Sequence, residues 1–150
     1  MKDIGFEAFT PADFSAGVLF SMVPIASIEA LGRARAQLGE AFDRAFAGPE
    51  PTAAYLYAPD GPNRWRTRMF APSMGIAEDP ATGAAAAAFA GVIMAFESPR
   101  DGEHQHIITQ GVEMGRISEI ILTLTVENAQ LAGATIGGCA VIVSEGTIDI

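Results

Sequence analysis

The sequence predicts an α+β domain: a curved, mixed β-sheet wrapped round one central apolar helix at about residues 80–96. Three observations lead there. Residues Ala84 to Phe96 are almost wholly apolar, so this helix has no face to offer to solvent and should be buried on all sides. The rest of the chain falls largely into short stretches bounded by Gly, Pro, Asn and Asp, the punctuation of strands and turns. The 150 residues make one domain by length, enough to bury a real core. One apolar helix among many strands is best covered by a sheet that curls round it.

Taken in order, Asp3 to Phe9 reads as a short strand and Phe14 to Ile25 as a second, ended by Pro24. Ser27 then caps a helix whose apolar positions Ile28, Leu31, Leu38, Phe42, Ala45 and Phe46 approximate one stripe. Gly48-Pro49-Glu50-Pro51 breaks it. Ala53 to Ala58 is a strand and Asp60 to Asn63 a turn. Arg64 to Phe70 then alternates, with Arg64, Arg66 and Arg68 on one face and Trp65, Thr67 and Met69 on the other. That is a half-buried strand, and with the preceding one it makes a hairpin. The arginine row is read as a solvated face paired with nearby acids, or as placing Arg68, nearest the loop, to help hold an anionic substrate.

A loop rich in Pro and Gly leads into the central helix, with Asp79 where an N-cap should stand and Pro80 at the first helical position. Ser98 to Gly102 is a loop. His104 to Gln110 and Ser118 to Glu127 are strands, Ala129 to Ala132 is a short one, and Ala134 to Val143 and Thr147 to Ile150 close the chain. The total is about eight or nine short strands and two helices.

Composition narrows the function. Net charge is −9, which argues against a nucleic-acid partner. The apolar run at 84–96 is too short to span a bilayer, and the first residues carry acids rather than an apolar core, so no membrane span or signal peptide is expected and a cytoplasmic protein is the default. One cysteine, Cys139, excludes an internal disulfide and fits a reducing compartment. No dinucleotide or phosphate-loop glycine pattern and no Ser-His-Asp set is evident. His104 and His106 share a strand face, but no third ligand stands at metal-binding spacing, so neither cofactor nor metal is expected. Cys139 reads as a buried structural thiol.

The start of the central helix is the strongest candidate site. A helix's first N–H groups lack intrahelical partners and carry the positive end of its dipole. Here they open into a mouth of Gly and Ala with little side-chain bulk, which suits an anion or carboxylate. Asp79 is either the cap of its own helix or a group that lines a cleft and positions a substrate or relays a proton.

The string Gly75-Ile-Ala-Glu78-Asp79-Pro80-Ala81-Thr82-Gly83-Ala84-Ala85 resembles the signature of the phenazine-biosynthesis (PhzF-like) isomerase family, which shares the diaminopimelate-epimerase fold. Gln110-Gly111-Val112-Glu113-Met114-Gly115-Arg116 resembles that family's second motif, and Gly137-Gly138-Cys139-Ala140-Val141 through Gly146 its final strand. The resemblance covers essentially this whole chain but only the second half of a family member. It implies one lobe of the epimerase-like fold over residues 1–150. It implies an aspartate lining the active site, carried to Asp79, with Glu78 a weaker neighbour. It places the N–H groups of Thr82, Gly83 and Ala84 and the turn with Gln110, Gly111 and Arg116 beside a small carboxylate-bearing substrate.

Two departures qualify this. Ala84 stands where the family usually has Ser, removing a hydroxyl donor. The family's first-half glutamate, a general acid/base working without cofactor or metal, has no counterpart here, so the chain alone would be inactive. In two-lobed members the last strand crosses into the first lobe, which would leave 141–150 without a home. A partner is therefore expected, either a separate chain carrying the first half or a second copy. The alternative function is a non-catalytic oligomeric module that keeps the anion-binding helix start.

Overall fold

The computed structural model describes residues 3–37, 40–46 and 53–148. Among these residues eight strands form a single mixed sheet: β1 (Ala12–Ser15), β2 (Leu19–Pro24), β3 (Ala53–Pro59), β4 (Arg64–Ala71), β5 (Ile76–Asp79), β6 (Gly102–Gln110), β7 (Ser118–Glu127) and β8 (Gln130–Gly138). The order is β1-β2-β3-β4-β6-β7-β8, with β5 on the end of β4. Pairing is antiparallel except between β2 and β3 and between β4 and β6. β6 takes the first half of one edge of β4, from Arg64 to Thr67, and β5 pairs with the same strand further on, at Met69 and Ala71.

The helix α3 (Gly83–Phe96) lies against the sheet's inner face. Its alanines Ala85, Ala86, Ala88 and Ala90 are buried, and their small side chains let strands approach closely. Phe89 fills the centre, its ring edge-on to Tyr57 at 4.9 Å and to Trp65 at 5.2 Å between centroids. The inward residues of β7, namely Ile120, Leu122, Leu124 and Val126, close that side at a strict period of two. On the outer face α1 (Ile28–Arg33) and α2 (Glu40–Ala45) cover two smaller clusters, one of Ile25, Ala30, Leu31 and Ala58, the other of Phe42, Ala54 and Phe70.

The α+β class, the curled mixed sheet and the central apolar helix all match expectation. Several elements differ. Asp3 to Phe9 makes only isolated bridges, Ile4 to Ile25 and Phe6 to Phe9. The second predicted strand is a hairpin, β1 and β2, turning at Gly17, whose φ of 98° suits glycine. The predicted long helix is two short ones. Ala34 turns extended after α1, and the last carbonyls of α1 are satisfied by arginines instead of a further helical turn: Arg68 Nη1 reaches the carbonyl oxygens of Leu31 at 3.1 Å and Ala34 at 2.9 Å. Leu38, placed on that helix's stripe, lies outside the described residues, as does the Gly48–Pro51 break.

Burial of α3 on all sides is incomplete. Ala84 and Ala95 are exposed and Ala87, Gly91 and Met94 half-buried, a stripe at helical spacing. Near this stripe the two end strands touch the helix at its glycines, where added bulk would crowd a neighbouring side chain. A Cβ on Gly91 would fall 2.3 Å from the ring of Phe14 in β1, and one on Gly83 would fall 3.0 Å from Ile136 in β8. The chain's end is the largest difference. β8 runs unbroken from Gln130 to Gly138, and residues 139–148 have no regular secondary structure where two closing strands were expected. The remaining two residues of that expectation lie outside the described ones.

Candidate functional site

Asp79 ends β5, and α3 begins four residues later at Gly83. The expected N-cap role is therefore wrong: Thr82 holds that position, without a side-chain cap bond, and Pro80 lies in the connecting turn. Asp79 is instead fixed from the side. The Thr82 hydroxyl donates to its Oδ2 at 2.6 Å. Gln110 Nε2 donates to its backbone carbonyl at 2.7 Å and to the Thr82 hydroxyl at 2.9 Å. The Thr82 N–H donates to Gln110 Oε1 at 3.3 Å, and the Tyr55 hydroxyl approaches the same oxygen at 3.3 Å. Tyr55 also contacts the Thr67 hydroxyl at 3.1 Å. Burial pushes the Tyr55 phenol well above its ordinary range, so it stays protonated.

This arrangement sorts the sequence-predicted residues. Gln110 is fully buried with its amide spent on the protein, so it stands behind the helix start and not in the mouth. The Thr82 N–H is likewise taken. Gly83 and Ala84, the first two helical residues, keep first-turn N–H groups without intrahelical partners, and Ala84 is exposed. Gly111 is the tight pass between the two motifs. Its φ is +78°, and a Cβ there would meet the Arg116 carbonyl oxygen at 2.3 Å and the Pro80 carbonyl oxygen at 2.8 Å. Arg116 is exposed and makes no ion pair among the described residues.

Glu78 has a different job from the one expected. Both its oxygens accept from the Arg68 fork, at 2.8 Å from Nε and 2.9 Å from Nη2. Arg68 is buried, with Glu113 Oε2 at 3.8 Å as a second anion. Arg68 pairs with a nearby acid as expected, but it is buried instead of solvated, and its fork is already taken by Glu78. The pair ties β5 to β4, and through Glu113 it holds the 111–116 turn near Asp79.

His104 and His106 share a face of β6, as expected, but take different partners. The ring of His106 is buried and accepts from Trp65 Nε1 at 3.2 Å, whereas His104 meets the Arg100 carbonyl oxygen at 2.6 Å. No cluster of three metal-ligating side chains occurs among the described residues. Cys139 is exposed, not buried, because β8 ends before it. It lines, with Ala81, Ile117, Ser118 and Gly138, a cavity of about 360 Å³ beside the helix start. Sequence reasoning missed Tyr55 and Thr67 as members of the network. Their one signal is a polar group at an inward position of each strand of the β3–β4 hairpin.

No helix among the described residues is long and apolar enough to cross a membrane. Residues 2–146 match the family model for phenazine biosynthesis-like proteins. The chain is 45% identical to an uncharacterized isomerase of Mesorhizobium japonicum over 99% of its own length and 51% of that protein. It is 39% identical, over 57% of its length and 30% of the relative, to the trans-2,3-dihydro-3-hydroxyanthranilate isomerase of Pseudomonas chlororaphis. Among solved structures, a PhzF-family phenazine biosynthesis protein of Bacillus anthracis superposes with a TM-score of 0.68 at 22% identity, covering 78% of this chain and 41% of that one. A predicted epimerase of Pseudomonas aeruginosa gives 0.50 at 26%, covering 87% and 44%. The chain spans about half the length of the first of these relatives and less of the others. With its three motifs set round one helix start and a family match along almost its whole length, the chain belongs to the phenazine biosynthesis-like (PhzF) isomerase family.

Proposed function

We propose that this chain forms one wall of a cofactor-independent isomerase acting on a small carboxylic acid by proton transfer. Asp79 and the first N–H groups of α3 hold the substrate, and a complementary lobe supplies the general acid/base. The observation that carries this is the fixed Asp79 carboxylate beside the exposed start of a fourteen-residue helix, a place where donors and a positioned acceptor meet. Proton transfer between carbons needs an acid/base group within hydrogen-bond reach of the C–H bond and on a defined face of it. A single wall provides orientation, and the second group comes from across the cleft.

The complementary lobe is a chain equivalent to the other half of the longer relatives, or else a second copy of this chain. Its landing place is the outer edge of β8 with the aliphatic segment beyond it, where Val141, Ile142 and Val143 are 84%, 91% and 88% exposed. An unpaired strand edge followed by apolar chain favours association by strand addition.

The test is the solution mass by light scattering, alone and after mixing with the separately produced first lobe of the Mesorhizobium relative. It is followed by proton exchange in deuterated water with trans-2,3-dihydro-3-hydroxyanthranilate as the first probe acid. A one-to-one complex that exchanges a carbon-bound proton is expected, and Asp79→Asn should slow that exchange by a factor of 100 or more while the complex still forms. A homodimer that ignores the added lobe and exchanges nothing would replace this proposal with the non-catalytic, anion-binding module.

A further inference from the structure

We infer that Gln110 and Thr82 are positioning residues for Asp79, holding its Oδ2 occupied and leaving Oδ1 as the working oxygen. This rests on the reading of Asp79 given above. The Gln110 amide has one possible orientation. Its Nε2 faces the Asp79 carbonyl, which can only accept, and its Oε1 faces the Thr82 N–H, which can only donate. Turning the amide over would set acceptor against acceptor and donor against donor.

The direction of the protons between Gln110 and Asp79 then follows. Nε2 gives its second N–H to the Thr82 hydroxyl, so Thr82 Oγ1 accepts there. The hydroxyl's own proton goes to Asp79 Oδ2, at 2.6 Å, the shortest bond of the set. Asp79 Oδ2 is therefore an acceptor. No other hydrogen bond engages this carboxylate among the described residues, which leaves Oδ1 open. Behind Gln110 the Tyr55 hydroxyl has both Oε1, at 3.3 Å, and Thr67 Oγ1, at 3.1 Å, within reach of its one proton. From Gln110 Nε2 through the Thr82 hydroxyl to Asp79 Oδ2 the side-chain bonds run one way.

The series is also costly to keep. Tyr55, Thr67 and Gln110 are 0% exposed and Thr82 9%, and buried polar groups return nothing over an apolar core unless all are satisfied. A fold that needed only shape at these places would be served by Val at 82 and Phe at 55. What the hydroxyls add is a carboxylate held in one rotamer at the entrance to α3, where a displacement of about 1 Å costs roughly a hundredfold in rate.

The experiment compares Thr82→Val, of the same shape but without the proton, with Thr82→Ser. Both are assembled with the complementary lobe and assayed with the probe acid of the exchange measurement. Thr82→Val should lower kcat tenfold to a hundredfold with KM within twofold, and Thr82→Ser should return kcat to within threefold of the parent. A folded Thr82→Val protein with parental kcat overturns the inference while leaving the proposed reaction standing. An assembly of the parent chain that exchanges nothing brings down that reaction and this inference with it. A second measurement needs no substitution and no partner. In the chain alone the two Gln110 side-chain amide protons should give separate, slowly exchanging NMR signals, and rapid exchange there overturns the network itself.

Discussion

Arg68 shows what a single side chain can hold together. It closes the end of α1 through the carbonyls of Leu31 and Ala34, grips Glu78 with a bidentate fork, and lays its guanidinium 4.9 Å from the Phe70 ring centroid. Arg68→Met should destabilise the fold by about 3–5 kcal/mol in urea denaturation, because Glu78 loses its partner while staying largely covered. His106 contributes a pH dependence. Burial, helped by the nearby charge of His104, lowers its pKa from the ordinary 6.5. The folded value lies below the unfolded one, so this contribution is complete above pH 6.5 and is lost as pH falls through the lowered value. The urea midpoint should therefore be lower at pH 5.5 than at pH 7.5, and His106→Gln should reduce that difference. Neither role was legible in sequence. Alternation placed Arg68 on the outer face, but only the end of α1, arriving from over thirty residues away in the chain, converts that face from solvent to interior.

At the scale of elements, β7 and the β3–β4 hairpin were readable because alternation and turn residues agree. The turn between β7 and β8 works less comfortably. Asn128 and Ala129 both have positive φ, 53° and 58°, and their N–H groups donate to the Asp101 carboxylate at 2.9 and 2.8 Å, which holds that carboxyl below its ordinary pKa. Asn suits this geometry and Ala does not. Ala129→Gly should stabilise the hairpin, by about 1 kcal/mol in urea denaturation. β5 escaped notice because a four-residue strand between Gly75 and Pro80 has no room to display a period. The division into α1 and α2 escaped for a different reason. The apolar stripe continues across both, and the end of α1 is held by two arginines, the adjacent Arg35 and the distant Arg68, with Ala34, neither Gly nor Pro, at its C-cap.

For the whole molecule, the open question is what completes the sheet. β1 and β8 are its two ends and do not pair with each other. Beyond β8 the chain carries Val141, Ile142, Val143 and Ile148, all more than four-fifths exposed. Hydrogen–deuterium exchange should find 139–148 fully exchanging in the dilute chain and protected once the complementary lobe is added. Exchange unchanged by the addition would remove the strand-addition site from the proposal. Cys139, at the head of this segment, gives an independent readout: its thiol should react quickly in the chain alone and slowly in the complex.

Fold class, the central helix and the position of the proposed site could all be read from local pattern. An apolar helix must be wrapped, alternating strands must present one face inward, and the motif round Asp79 stands at the junction of the two. What each of these residues touches came only with the assembled fold. Glu78 became half of an ion pair, Gln110 a buried brace and Asp79 a held carboxylate instead of a cap. These assignments depend on contacts between residues up to 55 positions apart, such as Tyr55 with Gln110. A local pattern can say that a polar group must find a partner, and only the assembled fold says which one it finds.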